Sequence, residues 1–155
     1  MESSTLYANN AGMHGGAVAE YNFSGECQTF GGNSLFCRNS SDGSDTSMFS
    51  EFYTLNSTYA IGMNYSVIQL DTQKHAIGSY NDISGNDLNF SGAYVTFQNT
   101  NNLIGNDGIW GTSDDGLIPT NAITKNKGAG HLSTGRDITG ATRSRTNPDI
   151  GAYEH

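Results

Sequence analysis

The chain has 155 residues, of which 35% are hydrophobic and 14% charged, and its formal net charge is −8 at pH 7. This acidic balance, without any Lys/Arg cluster, argues against a nucleic-acid partner, because phosphate binding needs a basic surface. No apolar run approaches the ~20 residues of a membrane-spanning helix. The first residues also lack the basic and hydrophobic stretches of a signal peptide.

Short β-strands are predicted along the first hundred residues. Each candidate is bounded by Gly, Asn, Ser or Asp and contains β-branched or aromatic residues. In chain order the candidates are 16–19, 35–37, 48–55, 67–70 and 93–97. No segment keeps the i, i+3, i+4, i+7 apolar pattern over three turns, so almost no helix is expected.

Three Asn-x-Ser triplets recur at equal spacing along this part of the chain. They begin at Asn39, Asn64 and Asn89 and are therefore 25 residues apart. Short strands with Asn-rich corners at such a period are typical of a parallel β-helix, in which each coil stacks on the one below. Residues 1–106 would then form roughly four coils of an all-β protein.

Residues 107–155 are predicted to form a long irregular segment that caps the last coil within the same domain. Its apolar residues are too scattered for regular coils. Arg143, Asp149 and Glu154 could tie it down by charge-assisted hydrogen bonds. Pro148 and Tyr153 complete this predicted structural cap.

The N-terminal end of the predicted coils has no comparable cover. Unpaired strand edges invite association. We therefore expect a homo-oligomer, formed through the N-terminal coil edge or through a flat coil face.

A stretch rich in oxygen ligands is found at residues 106–116. Asp107, Asp114 and Asp115 supply the hard oxygens that Ca²⁺ prefers, and glycines supply sharp turns. The stretch lacks the ligand spacing of an EF-hand, and the same residues also suit ordinary Asx-turns. The expectation is therefore either no cofactor or a calcium ion.

The two cysteines, Cys27 and Cys37, are close in sequence. A disulfide between them and a pair of buried thiols are both compatible with the spacing. Neither has a nearby pair of histidines, so no zinc pattern is present.

Four stretches carry a resemblance to a known group. They are NNAGMHGGAV (9–18), NNLIGND (101–107), DGLIPTNAITKNKGA (115–129) and DITGATR (137–143) followed by PDIGAYE (148–154). In order and spacing they resemble the C-terminal portion of right-handed β-helix proteins of the pectate-lyase-like superfold, in particular the choice-of-anchor Q domain group. The resemblance implies a right-handed coil and an extracellular or cell-surface location. TNAI at 120–123 stands where that group has Ser-Pro-Ala-Ile, and the group's anchor is not present in this chain.

The function implied is a non-catalytic β-helix module that binds carbohydrate or protein or has a structural role. The alternative is a carbohydrate-active enzyme, a polysaccharide lyase or glycoside hydrolase, acting on acidic polysaccharide. Such an enzyme would need paired carboxylates or a basic residue near its substrate. The candidates are Glu20, Glu26, Glu51, Asp71, Asp82 and Asp87 among the acids, Arg38 and Lys74 among the bases, and His14 and His75.

Overall fold

The computed structural model describes residues 1–13, 15–20, 29–41, 52–54, 61–69, 75–81, 89–91 and 94–155. These residues are rich in strands and contain one short helical turn, so the chain is all-β as predicted. The strands are β1 (Thr5–Tyr7), β2 (Asn10–Ala11), β3 (Val18–Glu20), β4 (Thr29–Gly32), β5 (Leu35–Cys37), β6 (Ser40–Ser41), β7 (Phe52–Thr54), β8 (Ile61–Gln69), β9 (His75–Asn81) and β10 (Asn89–Ser91). The helical turn is a 3₁₀ turn at Gly130–Leu132. No helix in the described residues has the length and apolarity needed to cross a membrane.

Strands β1 to β8 pair in parallel. β5 lies between β1 and β8, with Thr5 opposite Leu35 and Leu35 opposite Val67. β4 pairs with the first half of β8. Two smaller parallel sheets are formed by β2 with β6 and by β3 with β7. Parallel sheets, expected from the sequence, are therefore present.

The turns before and after the strands of the central sheet, here called corners, share one backbone conformation. Ser3, Asn33 and Tyr65 have left-handed φ angles of 46°, 52° and 48°, and each immediately precedes a serine. Ala8 and Arg38 have φ angles of 53° and 58°, and each immediately precedes an asparagine. Left-handed backbone is costly for residues other than glycine, so its recurrence at equivalent places marks a repeated unit.

Side-chain hydrogen bonds connect equivalent corners on neighbouring parallel strands. The N–H of Ser4 donates to Oγ of Ser34, and the N–H of Ser34 donates to Oγ of Ser66, both at 3.3 Å, across 30 and 32 residues. The N–H and Nδ2 of Asn9 both donate to Oδ1 of Asn39, at 3.1 and 2.8 Å, again across 30 residues. The repeat is therefore 30 to 32 residues long.

The 25-residue period predicted from the Asn-x-Ser triplets is wrong. Asn39 follows the left-handed residue Arg38, whereas Asn64 precedes the left-handed residue Tyr65. The two triplets therefore occupy different positions in the coil. Asn89 begins β10, which is not part of the parallel pairing. The equal spacing of the triplets does not correspond to stacked positions.

The parallel pairing ends at β8. β9 runs antiparallel to β8, and β10 runs antiparallel to β9. The described strands after β8 are therefore antiparallel, and the extent of the predicted coils to residue 106 stays a prediction. The predicted strand at 35–37 is confirmed as β5, whereas residues 94–97 form no strand and Phe97 makes only an isolated bridge to Pro119.

One face of the central sheet is buried. Its buried cluster comprises Phe36, Phe52, Ile61, Met63 and Ile68, each at most 1% exposed. Phe36 and Phe52 come from different sheets and meet edge to face, with ring centroids 4.9 Å apart. The interior is therefore built from side chains that alternate with those of the opposite face.

The opposite face of this sheet is covered by the C-terminal part of the chain. Leu35, Cys37 and Val67 on the sheet pack against Val95 and Ile150. The C-terminal part of the chain therefore buries a second apolar face of the sheet. The boundary at residue 107 and the capping of the last coil stay predictions.

Cys37 lies in this second cluster, with its Sγ 3.9 Å from Oε1 of Gln69. Cys27 lies outside the described residues. The pairing of the two cysteines is therefore still open.

Candidate functional site

A cleft opens where the corner after β5 meets residues 94–100. We call it the Arg38 cleft. It has a volume of about 230 Å³ and is lined by Tyr7, Arg38, Gln69, Tyr94, Val95, Thr96, Phe97 and Thr100. Aromatic rings, hydroxyls, an amide and one guanidinium are thus gathered around one concave surface.

The floor of the cleft is held by the sheet. Gln69, the last residue of β8, is buried, and its Oε1 accepts a hydrogen bond from the N–H of Val95 at 2.7 Å. Tyr7 and Phe97 meet edge to face, with ring centroids 5.2 Å apart. These contacts fix residues 94–97 against β1 and β8 although they form no strand.

The wall formed by residues 94–97 is braced from behind by residues 118–121. Oγ1 of Thr96 and Oγ1 of Thr120 lie 2.7 Å apart, and the N–H of Thr120 donates to the carbonyl of Thr96 at 2.8 Å. Nδ2 of Asn121 donates to the carbonyl of Tyr94 at 2.7 Å. The Tyr94 side chain itself is exposed.

Arg38 is the charged residue of this cleft. Its N–H donates to the carbonyl of Gln69 at 3.0 Å, and its left-handed φ turns the chain outward, leaving the side chain exposed. None of the described lining residues is a carboxylate. Among the described residues of the cleft, the guanidinium of Arg38 is therefore the one charged group.

Residues 106–116, here the aspartate loop, hold two of the three predicted calcium ligands in tight turns. Oδ1 of Asp107 accepts the N–H of Ile109 at 2.8 Å. Oδ2 of Asp114 accepts the N–H of Asn106 at 2.6 Å, and its Oδ1 accepts the hydroxyl of Thr112 at 2.7 Å. The hydroxyl of Thr112, followed by the N–H of Asn106, lowers the pKa of Asp114.

The third predicted ligand, Asp115, points away from solvent. Its Oδ2 accepts hydrogen bonds from the N–H of Gly111 at 2.7 Å and from the hydroxyl of Tyr153 at 2.8 Å. Its Oδ1 is buried and has no hydrogen-bond partner among the described residues. Burial, together with the hydrogen bond to Asp115, raises the pKa of Tyr153 well above its ordinary value.

The aspartates therefore close turns and anchor the C-terminal tyrosine. Across the described ranges, no group of three or more His, Cys, Asp or Glu side chains is arranged to hold a metal ion.

Arg143 is the centre of the predicted cap and is only 2% exposed. Its guanidinium donates to the carbonyls of Asp149 at 3.1 Å and Gly151 at 2.6 Å, and it lies 3.4 Å from Oε2 of Glu154. Burial lowers the pKa of Arg143, while nearby carboxylates, Glu154 first, oppose that effect. An arginine remains charged under these conditions, so it binds the final residues through charge-assisted bonds.

Asp149 and His155 form the second ion pair, with Nδ1 of His155 2.8 Å from Oδ2 of Asp149. Oδ1 of Asp149 also accepts the N–H of Asn126 at 2.7 Å. Burial raises the pKa of Asp149, but hydrogen bonds from His155 and Asn126 outweigh it and the net pKa is lowered. The carbonyl of Pro148 accepts the N–H of Gly128 at 2.8 Å.

Sequence reasoning missed Asn33, which is fully buried and joins the coils to the C-terminal segment. Its side chain and the backbone of Ala129 exchange two hydrogen bonds, and its carbonyl accepts the N–H of Gly151 at 2.7 Å. The available signal was an asparagine after two glycines at the start of a strand, a place that suits a left-handed corner.

Most residues proposed for an enzyme site lie outside the described residues. These are Glu26, Glu51, Asp71, Lys74, Asp82, Asp87 and His14, and the side chains of Glu20 and His75 are likewise not described. Arg38 is the member of that set that the structure places in a cleft.

No family model, curated protein or solved structure matches this chain. A functional interpretation therefore depends on the geometry of its own residues.

Proposed function

We propose that this protein is a non-catalytic module with a parallel β-helix core that binds acidic saccharide in the Arg38 cleft. The observation that carries the proposal is the composition of that cleft, in which the described lining residues are aromatic and hydroxyl side chains around one guanidinium, with no carboxylate among them. The resemblance to the right-handed β-helix proteins of the choice-of-anchor Q group is consistent with such a role and belongs to the same proposal.

The β-helix interpretation is supported by the stacking of corners. Ser4, Ser34 and Ser66 follow one another at intervals of 30 and 32 residues and are joined by hydrogen bonds. The parallel strands of the same segments are divided among three separate sheets. A coil of three strands that rises by one strand spacing per turn accounts for both features.

The chemistry of the cleft suits a sugar chain with carboxylate groups. The faces of Tyr94 and Phe97 offer apolar area to the C–H faces of sugar rings. The hydroxyls of Thr96 and Thr100 can exchange hydrogen bonds with sugar hydroxyls. The guanidinium of Arg38 can receive a carboxylate in a bidentate hydrogen bond. Each class of group on a uronic-acid chain thus has a counterpart in the cleft.

The cleft lining favours binding over cleavage. Glycoside hydrolysis uses two carboxylates that flank the scissile bond, and the part of the lining that the structure describes includes neither a carboxylate nor a histidine. Arg38 alone can attract an anionic substrate but offers no acid–base pair. The proposal is therefore a binding module.

Titration with a short oligogalacturonate, followed by calorimetry and NMR shifts, tests the proposal. We expect binding that weakens about tenfold or more in Arg38→Ala, because one charge-assisted hydrogen bond contributes roughly 1.5–3 kcal/mol. Arg145→Ala is the matched control, since Arg145 is exposed and outside the cleft lining. Binding that is equal in both variants would overturn the assignment of the cleft.

Two further measurements distinguish the proposed binding module from an enzyme and from a calcium-dependent binding site. Release of shorter sugars during the titration would favour the enzyme interpretation over a binding module. Repeating the titration with CaCl₂ and with EDTA asks whether calcium bridges the acidic saccharide to the aspartate loop. Binding that depends on calcium but not on Arg38 would move the site to that loop.

A further inference from the structure

A series of three contacts connects the ion pair of His155 and Asp149 to the wall of the Arg38 cleft. Nδ1 of His155 lies 2.8 Å from Oδ2 of Asp149, and Nε2 of the same ring lies 3.4 Å from the carbonyl oxygen of Asn121. The side-chain amide of Asn121 in turn donates to the carbonyl of Tyr94 at 2.7 Å. Since Tyr94 lines the cleft, the imidazole of His155 is two hydrogen bonds away from the proposed binding surface.

Both ring nitrogens of His155 face oxygen atoms that can only accept. An ionised carboxylate and a backbone carbonyl have no proton to donate, so each nitrogen must carry a proton to make a hydrogen bond. The imidazolium satisfies both contacts. The neutral ring keeps one proton, which the charge of Asp149 holds on Nδ1, and Nε2 then turns a lone pair toward the carbonyl of Asn121. Loss of a single proton therefore changes this contact from attraction to repulsion.

The charged groups around the ring favour its protonated state. The hydrogen bond to Asp149 raises the pKa of His155, whereas burial and the positive charge of Lys125 lower it without outweighing that increase. Asp149 stays ionised in the neutral range, because its own pKa is lowered. The contact between the imidazolium and Asn121 is therefore complete below pH 6.5 and is lost as pH rises through the folded pKa of His155.

Asn121 has few other contacts that would hold it in place. Its side-chain Oδ1 is buried and receives no hydrogen bond from any described residue. Its carbonyl accepts no backbone N–H from the described part of the chain. Thr96, by contrast, is held by two hydrogen bonds to Thr120. We therefore expect a change at Asn121 to displace the cleft wall at Tyr94 rather than at Thr96.

We propose that protonation of His155 positions Tyr94 for binding in the Arg38 cleft, so that the affinity for acidic saccharide falls when this histidine loses its proton. This regulation rests on the proposed function of the cleft. With the imidazolium in place, Asn121 holds the backbone of Tyr94 and the wall is preorganised, which reduces the ordering cost of binding. By linkage, bound saccharide must in turn strengthen the binding of the proton to His155.

The other charged partners of this binding event do not titrate near neutral pH. The guanidinium of Arg38 keeps its charge, and the carboxylates of a uronic-acid chain stay ionised. The part of the cleft lining that the structure describes contains no histidine. A dependence of affinity on pH in this range therefore points to a group behind the wall.

Titration with a short oligogalacturonate at pH values from about 5.5 to about 9 tests this regulation. We expect the dissociation constant of the wild-type protein to increase about threefold or more across the series, a coupling of the size seen between linked sites. His155→Gln keeps an N–H donor for Asn121 but does not titrate, so its affinity should stay near the acidic wild-type value at every pH. His155→Ala should show the weaker, alkaline affinity throughout.

His131→Gln is the matched control, because His131 is exposed and lies outside the cleft lining. It should keep the pH dependence of the wild-type protein. NMR supplies two further readouts. Saturating saccharide should move the titration midpoint of the His155 ring to higher pH, and without saccharide the side-chain amide signals of Asn121 should follow that midpoint.

The results distinguish failure of the regulation from failure of the binding function. Equal affinity at all pH values would overturn the regulation and leave saccharide binding in place, and so would a pH dependence that persists in both His155 variants. Asn121 signals that do not respond to the titration of His155 would also overturn the regulation. Absence of binding by the wild-type protein at every pH would overturn the proposed function, and the regulation with it.

Discussion

The side-chain amide of Asn33 and the backbone of Ala129 are joined by two hydrogen bonds, from Nδ2 to the carbonyl at 2.8 Å and from the N–H to Oδ1 at 2.7 Å, across 96 residues. Asn33→Ala leaves both backbone groups buried without a partner. We expect a loss of about 2–5 kcal/mol in the free energy of unfolding, since each unpaired group costs about 1–3 kcal/mol. Urea denaturation measures it.

Asn33→Gly separates the two roles of this residue. Glycine accepts the left-handed φ of 52° at no steric cost but provides no amide. It should therefore be nearly as destabilising as Asn33→Ala, and a glycine variant of wild-type stability would show that the backbone conformation alone matters.

The hydroxyl of Tyr153 is the donor that reaches the buried Asp115. Tyr153→Phe is expected to lower the free energy of unfolding by about 1–3 kcal/mol, because Oδ2 of Asp115 loses a donor. Tyr65→Phe, at an exposed position, is the matched control. Equal effects of the two substitutions would contradict the importance of the Asp115 contact.

The His155–Asp149 pair makes stability depend on pH. The hydrogen bond to Asp149 raises the pKa of His155 above its ordinary value of 6.5, so this contribution is complete below pH 6.5 and is lost as pH rises through the folded pKa. The pKa of Asp149 is lowered from 3.8, so its contribution is present above that value and is lost as pH falls through the folded pKa. Both contributions are therefore present together between about pH 4 and 6.5.

Thermal denaturation of wild type and His155→Ala across this range checks the expectation. The difference in Tm should be largest between about pH 4 and 6.5 and should shrink above it as the histidine loses its proton. A difference that grows toward alkaline pH would refute the charged pair.

Ser4, Ser34 and Ser66 are joined in series by hydrogen bonds from a backbone N–H to the next Oγ, and we call this series the serine ladder. Substitution of serine by alanine is expected to lower the free energy of unfolding by different amounts at two of its positions. Ser34→Ala removes a buried acceptor for the N–H of Ser4 and a donor to the carbonyl of Gly32, so about 1–3 kcal/mol is expected. Ser4→Ala removes a donor to the carbonyl of Glu2 in an exposed hydrogen bond and should cost about 0.5 kcal/mol or less. Equal costs, measured by urea denaturation, would argue against stacking of the two corners.

Gly130 lies at a close approach of two backbone segments. A Cβ at this position would meet the carbonyl oxygen of Arg145, and backbone cannot move aside as a side chain can. Gly130→Ala should lower Tm by several degrees, whereas Gly12→Ala, where a Cβ meets nothing within 4 Å, should not. Circular dichroism melts compare the two.

The strand-rich fold could be predicted from the sequence because composition and short apolar runs determine it. The period could not, since the residues that define it are a serine and an asparagine after left-handed corners, and left-handed φ is visible in sequence only when glycine supplies it. At Ser3, Ala8, Arg38 and Tyr65 residues other than glycine adopt the same conformation. The Asn-x-Ser triplets were the more conspicuous pattern and gave a period that was too short.

For the candidate site, the charged residues near the C-terminus were predictable as a group, because five of the seven Lys and Arg residues of the chain lie after residue 124, close in sequence to Asp137, Asp149 and Glu154. The Arg38 cleft was not predictable. It depends on residues 94–100 lying beside β8, and that placement is set by the buried amide of Gln69. A glutamine at the end of a strand carries no sign of such a role in its sequence context.

The burial of the outer sheet face by Val95 and Ile150 imposes an order of events during synthesis. Leu35 and Val67 emerge from the ribosome long before Ile150, so part of this face stays exposed to water until Ile150 has also emerged. The coil interior needs only earlier segments and can form first. A nascent chain at that stage has an ordered sheet with one bare apolar face, and it is the species most prone to aggregate in the cell.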